Sequence, residues 1–280
     1  MNFIAIDLGS SSIKAALFDL DSYKLLEEIK IKTPDKLEHE DPNKFEISAD
    51  EVFLIVKNII DKLTNKYLNI NGVLFSSQMQ GFVYDYGQEN PSYITWQDQR
   101  SIETIQPSSR LYKKENKDTY LSYLKKLISN DEMVNNGVYF KPSLGLCNLF
   151  TLLDQDYTIP RNGTLYTLAS YIGHKLCKTN KAHPQLITSQ GFYDLKNKCI
   201  NNNILQKLGF DTITFPEITK QDDEIIGTYQ SNNQIIKIYP DFGDMQISIL
   251  GSHLTKDSAL INIATACQVI CSTDTISKGN

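Results

Sequence analysis

Two stretches of this sequence hold residues whose types and spacing suit chemistry on an anionic ligand. The first is Asp7-Leu-Gly-Ser-Ser-Ser-Ile-Lys14, set between the apolar runs 2–6 and 15–18. Short apolar runs around a small-residue turn predict two strands, with Asp7 ending the first. Gly9, Ser10, Ser11 and Ser12 then offer close backbone approach, N–H donors and hydroxyls, a concavity that suits phosphate. Asp7 has the opposite preference and suits a hydrated Mg²⁺, which binds through one or two carboxylates and phosphate oxygens. A Ser-rich hairpin with a solvated aspartate is an equal reading of the bare pattern. The second stretch is Tyr239-Pro-Asp-Phe-Gly-Asp-Met-Gln246. Gly243 allows close backbone approach, and Asp244 opens the apolar run 247–250, which reads as helix. A carboxylate at a helix N-terminus is favoured by the dipole and stays ionised. A base that takes up a hydroxyl proton late in phosphoryl transfer needs that state. An N-cap aspartate is the default reading of a lone Gly-Asp.

Between them lie two candidate binding stretches, Ser76-Ser-Gln-Met-Gln-Gly81 and Tyr93-Ile-Thr-Trp-Gln-Asp-Gln-Arg100. The first follows the apolar strand 73–75, at the strand end where open α/β sheets bind ligands. The second carries the single tryptophan, Trp96, with Asp98 and Arg100 beside it. An indole face, a carboxylate acceptor and a forked donor suit a sugar, whereas an edge strand with a core Trp and a surface ion pair needs no ligand.

The elements that must position these residues read as an α/β domain. After the polar turn 19–22, alternation over 25–31 predicts a third strand, and the polar, proline-bearing 33–44 a surface connection. Ser48-Ala-Asp-Glu51 reads as a capping box. Val52, Ile55, Val56, Ile59, Ile60 and Leu63 then follow at helical spacing. A helix running into the strand 73–75 is half of a β–α–β crossover, which implies parallel pairing. Residues 102–136 are Lys-rich with scattered Tyr and Leu, a small helical insertion to which no function is assigned. Further helices are predicted at 144–153, 165–176 and 204–210. His174, in the second of these, reads as a packed or surface histidine.

Composition narrows the classes. The chain has 280 residues, is 41% hydrophobic and 22% charged, and carries a net charge of −5, which fits a globular chain of one or two domains. No basic block suggests nucleic acid. Five scattered cysteines form no C-x-x-C pair, so they read as reduced thiols of a cytoplasmic protein rather than a disulfide framework or zinc site. No leader pattern opens the sequence, and no apolar stretch reaches membrane-spanning length.

Asp7-x-Gly-Ser-Ser-Ser-x-Lys14 with Ala-Leu-Phe-Asp19 resembles the first phosphate motif of the FGGY carbohydrate kinases, of the actin/hexokinase/Hsp70 superfamily. The stretch 76–81 resembles that family's S-G-Q-M-H-G loop, with Gln80 in place of the histidine, which favours binding over acid–base work. Trp96, Asp98 and Arg100 fit its W-x-D-x-R motif. Residues 165–176 resemble its D-Y-L-x-x-x-L-T-G helix without the acid, and 183–194 the segment that leads into a hairpin. Phe215-Pro-Glu-Ile218 and Ile225-Ile-Gly227 follow in the family's order. Gly-Asp-Met-Gln-Ile-Ser with 259–268 looks like the sedoheptulose-kinase branch.

The resemblance implies a ribonuclease-H-like fold, a mixed β-sheet flanked by helices, and ATP-dependent phosphorylation of a ketose such as sedoheptulose or xylulose, or a related polyol. It implies Asp244 as catalytic base and Asp7, Gly9, Ser10, Ser11, Ser12 and Lys14 at ATP phosphate, Asp7 also at Mg²⁺. It implies Gln78, Met79, Gln80, Gly81, Trp96, Asp98, Arg100 and Gln246 at the sugar. Residues 1–250 would be the amino-terminal domain, and 251–280 the start of a carboxyl-terminal domain whose remainder is absent. No Walker-type G-x-x-x-x-G-K-S or G-K-T replaces it. Partners expected are therefore sugar, ATP and the missing domain or a second chain, a homodimer included. The other reading is a non-catalytic sugar-binding or regulatory remnant. Which sugar, which oligomer, and whether the shortening is natural stay open at this point.

Overall fold

A computed structural model describes residues 1–115, 117–263 and 267–272. The hairpin and third strand form as β1 (Asn2–Leu8), β2 (Ser12–Asp19) and β3 (Lys24–Lys32). A short β4 (Glu46–Ser48) leads into α1 (Ala49–Lys66). Only half of the expected capping box forms: Ser48 accepts the Glu51 N–H at 3.2 Å, and Glu51 does not reciprocate. The stripe Val52, Val56, Ile59, Ile60 and Leu63 is buried as its spacing requires. The crossover closes with β5 (Ile70–Ser77), parallel to β1.

The chain continues through β6 (Phe82–Asp85), β7 (Ser92–Ile94) and a 3-10 turn at Arg100–Ile102. The Lys-rich insertion holds α2 (Tyr120–Leu127) and α3 (Asn130–Asn135), followed by α4 (Gly145–Gln155). Helix 165–176 starts later than its apolar content suggests. Thr164–Tyr166 form β8, and α5 (Leu168–Cys177) begins behind Thr167, whose hydroxyl and the Ser170 side chain cap each other's backbone N–H. Local capping overrides hydrophobicity there.

Next come β9 (Lys181–Ala182), α6 (Pro184–Gln190), the hairpin β10 (Tyr193–Asp194) and β11 (Cys199–Ile200), α7 (Asn202–Leu208) and β12 (Glu217–Ile218). The last large elements are β13 (Gly227–Ser231), β14 (Gln234–Gly243) and α8 (Asp244–Gly251), before a hairpin β15 (Ala259–Ile263) and β16 (Cys267–Cys271). The expected second-domain segment 251–280 and the 259–268 motif thus fall partly outside the described residues.

The main sheet is mixed, in the order β13-β14-β5-β1-β2-β3, with β1, β5 and β14 mutually parallel. Its residues Ile4, Ile6, Leu8, Ile13 and Leu17 pack under α1 and α5 in one core. A smaller sheet, β4-β7-β6-β8, separates that core from a second one built from α2, α4, α6 and α7. Val83 and Tyr93 face the first core, and Phe82, Tyr84 and Ile94 the second, as alternating side chains must. Among the described residues no helix is long and apolar enough to cross a membrane. Cys147, Cys177, Cys199 and Cys271 are free thiols.

Candidate active site

The carboxyl ends of β1, β5 and β14 lie side by side and carry the candidate chemistry. Asp7 is in register with Lys14 on β2 and Ser76 on β5, and Gly243 with Ser77. Strands sit about 4.8 Å apart, so Asp7 and Asp244 flank the β5 end across a distance that a phosphoryl group and its acceptor could occupy. Burial raises the pKa of Asp7, while Lys14, with Nζ at 3.8 Å, and the Ser76 hydroxyl pull it back.

Asp244 is not the cap of α8. Gly243 holds that position, and Asp244 is the first helical residue, its Oδ1 accepting the Met245 N–H at 2.8 Å. Although the residue is open to solvent, surrounding protein raises its pKa, and the negative charge of Asp7 adds to the rise. The helix N-terminus does not outweigh these effects. A carboxylate shifted upward is a stronger proton acceptor, which is the direction a base requires.

The turn after β1 leaves Ser10 and Ser11 exposed and Ser12 buried. A Cβ at Gly9 would meet the Ser12 carbonyl oxygen at 2.8 Å, so the tight turn excludes a larger residue. Thr33 holds the turn from the other side: its hydroxyl donates to Gly9 O at 2.8 Å and its N–H to Ser11 O at 3.3 Å. Sequence reasoning assigned Thr33 to a surface connection. Its burial, the missing clue, comes only from the pairing of β2 with β3.

The stretch after β5 divides between two clefts. Gln78 shares a space of about 320 Å³ with Ser10, Ser11, Thr95 and Gln97, beside the Gly-Ser turn. Met79, Gln80, Met245 and Gln246 line a cleft of about 1000 Å³ with residues of α6. Gln80 is in the left-handed region (φ 72°), its N–H bonded to Ser189 Oγ and its Oε1 to Ser143 Oγ, both at 3.0 Å. Gly81 packs against the Tyr93 ring, where no side chain fits, and its carbonyl accepts from Gln190 at 2.7 Å. Gln185, Thr188, Thr219 and Gln246 line the larger cleft, and one side-chain oxygen of each is buried without a hydrogen-bond partner among the described residues. Such groups fit a ligand rich in hydroxyls.

Asp98 and Arg100, expected at the sugar, are buried and line neither cleft. Asp98 is 0% and Arg100 1% exposed. The guanidinium forks onto Asp98 at 2.9 and 2.7 Å and reaches Glu46 at 2.5 Å, while Asp98 also takes the Phe45 N–H at 2.7 Å. Burial works against the Arg100 charge, but both carboxylates outweigh it and the pKa rises. Burial likewise opposes the Glu46 charge, and Arg100 reverses it. Trp96 is 38% exposed and sits between Thr95 and Gln97 of the smaller cleft without lining either space.

Asp241 was not singled out by sequence either. It is 1% exposed, accepts the Thr167 hydroxyl at 2.6 Å and the His183 N–H at 3.4 Å, and burial raises its pKa. It ties the end of β14 to the starts of α5 and α6, three residues before Asp244. Among the described residues no cluster of three or more His, Cys, Asp or Glu could hold a metal. Asp7 with Asp244 nearby does fit Mg²⁺, which keeps most of its water and leans on phosphate.

A mixed sheet of this order, with acidic residues at the carboxyl ends of its parallel strands, places the chain among proteins of the actin/hexokinase type of fold. The model for the FGGY family of carbohydrate kinases, N-terminal domain, matches residues 2–239, and the chain belongs to that family. Xylulose kinase from Lactobacillus acidophilus superposes with a TM-score of 0.79 at 18% identity, covering 96% of this chain and 53% of that one. Gluconate kinase from the same organism gives 0.78 at 18%, covering 96% and 53%. Plasmodium falciparum glycerol kinase with ADP gives 0.72 at 16%, covering 89% and 50%. The chain thus spans about half the length of these solved structures. No curated protein matches its sequence.

Proposed function

We propose that this chain supplies the sugar-binding and catalytic-base half of an ATP-dependent carbohydrate kinase, residues 1–250 forming its amino-terminal domain and 251–280 leading into the next. The observation that carries the reading is the pairing of Asp7 and Asp244 at the ends of β1 and β14, with the Gly-Ser turn beside them. Asp244 accepts the proton of the sugar hydroxyl as its oxygen bonds to the transferred phosphorus and the bond to ADP breaks. N–H groups and hydroxyls of Gly9 to Ser12, with Lys14, hold phosphate oxygens. Asp7 would hold Mg²⁺, which supplies charge neutralisation on the phosphates. Met79, Gln80 and Gln246 face the sugar, and Gln78 the phosphate side. Asp98 and Arg100 brace the loop that carries Trp96. ATP and free thiols together fit the cytoplasm.

The Gly243–Ser248 segment supports the sedoheptulose-kinase branch, so C5–C7 ketoses and polyols are the first substrates to test. The test pairs calorimetric titration of these sugars into the chain with coupled ADP release by the chain and by any longer polypeptide that contains it. Sugar-dependent ADP release from either supports the reading. Sugar binding with no turnover in every form would favour a non-catalytic sugar-binding protein instead, and no binding at all would overturn both.

A further inference from the structure

The larger cleft is lined by Met79, by Met245 and Gln246 just after Asp244, and by Lys141, Lys198 and Lys220. Among the described residues no aspartate or glutamate lines it. That is a sharp reversal within a chain whose 33 acids outnumber 28 Lys and Arg. Lys220 acts on Glu224, but that carboxylate already takes Lys181 at 3.0 Å. Lys141 is exposed, as Lys198 and Lys220 are, and among the described residues it forms no ion pair; the protein around it lowers its pKa. The buried, unpartnered hydroxyls of Thr188 and Thr219 line the same cleft and can donate to an anion.

A neutral polyol would satisfy the glutamine and threonine groups but leave three ammonium groups facing a cleft that no described carboxylate lines. A terminal anion answers all of these groups together. The volume of about 1000 Å³ leaves room for one beyond the reacting hydroxyl.

We propose that the sugar bound in this cleft carries a carboxylate or phosphate on the end of its carbon chain away from Asp244, received by Lys141 with Thr188 and Thr219, while Lys198 and Lys220 attract it. This rests on the sugar-kinase reading and narrows its substrate class to anionic sugars.

The test is calorimetric titration of the 280-residue chain with a six-carbon aldonate, the neutral alditol of the same configuration, and that alditol bearing a terminal phosphate. A hydrogen bond to a charged partner typically contributes enough for a roughly tenfold to hundredfold preference for an anionic probe over the neutral one. That preference should shrink with added salt. It should fall toward unity in Lys141→Gln, and partly in Lys198→Gln should the first variant not fold. Whichever anion binds more tightly identifies the source. Equal or tighter binding of the neutral alditol, or a preference untouched by either substitution, overturns the inference. Should ketoses and alditols bind and turn over while both anions are rejected, only this inference fails. If no probe and no ketose binds, the kinase reading fails with it.

Discussion

Asp244 and Arg100 are both charged residues from family-like motifs, yet the structure gives them opposite settings. Asp244 is open to solvent and raised in pKa, first by the surrounding protein and then by Asp7. In any form of the protein that turns over, Asp244→Asn keeps the shape and loses the proton acceptor. The rate should fall on the order of 10²–10⁴-fold, with sugar affinity by titration changed little. Near-normal turnover would reduce the carboxylate to a partner of the Met245 N–H. Arg100 is sealed between Asp98 and Glu46. Arg100→Met leaves those two buried charges uncompensated and should cost about 3–5 kcal/mol in urea unfolding. A variant of normal stability that loses sugar affinity would instead mean that Arg100 touches the sugar. Sequence spacing showed that Asp98 and Arg100 belong together, because they are two residues apart. It could not show that Glu46, from a distant strand, closes the set. Asp241 and Thr33 were hidden for the same reason: their partners are contributed by the starts of α5 and α6 and by the turn after β1, which only the tertiary fold brings near.

At the scale of elements, the hairpin, α1 and β5 were legible because their signals are local: alternation, a helical stripe, an apolar run after a turn. The three-residue strands β4, β7 and β8 were not, since they gain their pairing from neighbours rather than from their own pattern. One consequence sits where the 33–44 connection meets the 3-10 turn. Gln99 N–H bonds Asn43 O at 2.8 Å, Gln155 holds Glu103 at 2.5 Å, and the Glu103 carboxyl faces Asp41. Burial and then Asp41 push Glu103 from 4.5 up to about 7, while the hydrogen bond from Glu103 lowers Asp41. The native pair therefore keeps a proton that unfolded Glu103 has lost. Stability from this proton is full below the unfolded pKa and is lost as pH rises through the folded one. Glu103→Gln mimics the protonated state. Its stability relative to the parent should rise from about pH 5 to about pH 8, read by urea unfolding across that window. A difference independent of pH would show that the two carboxyls do not share the proton.

Across the whole molecule, the groups proposed to act on ATP and sugar lie on one wall. Asp7, Ser10, Ser11 and Asp244 border the ends of three parallel strands, and Lys141 lines the larger cleft together with Met245 and Gln246. Beyond them, Leu250 at 68%, Ile261 at 61% and Val269 at 68% leave apolar side chains exposed on α8 and the final hairpin, surface that a facing wall or a second chain could cover. Phosphoryl transfer depends almost wholly on positioning and on neutralising charge as it spreads over the phosphate oxygens. A single wall can bind a sugar through glutamine, threonine and lysine groups. Holding the adenosine and the transferred phosphate in line with Asp244 calls for a second surface facing the Gly-Ser turn. The 280-residue chain by itself is thus expected to be folded, to gain thermal stability on adding its sugar, and to release no ADP above background with Mg-ATP. The same coupled assay, repeated with a polypeptide that supplies the facing wall, should then show sugar-dependent turnover that disappears in Asp244→Asn. Robust phosphorylation by the chain alone would mean that the turn, Lys14 and Asp7 suffice to position ATP, and the requirement for a second wall would be wrong.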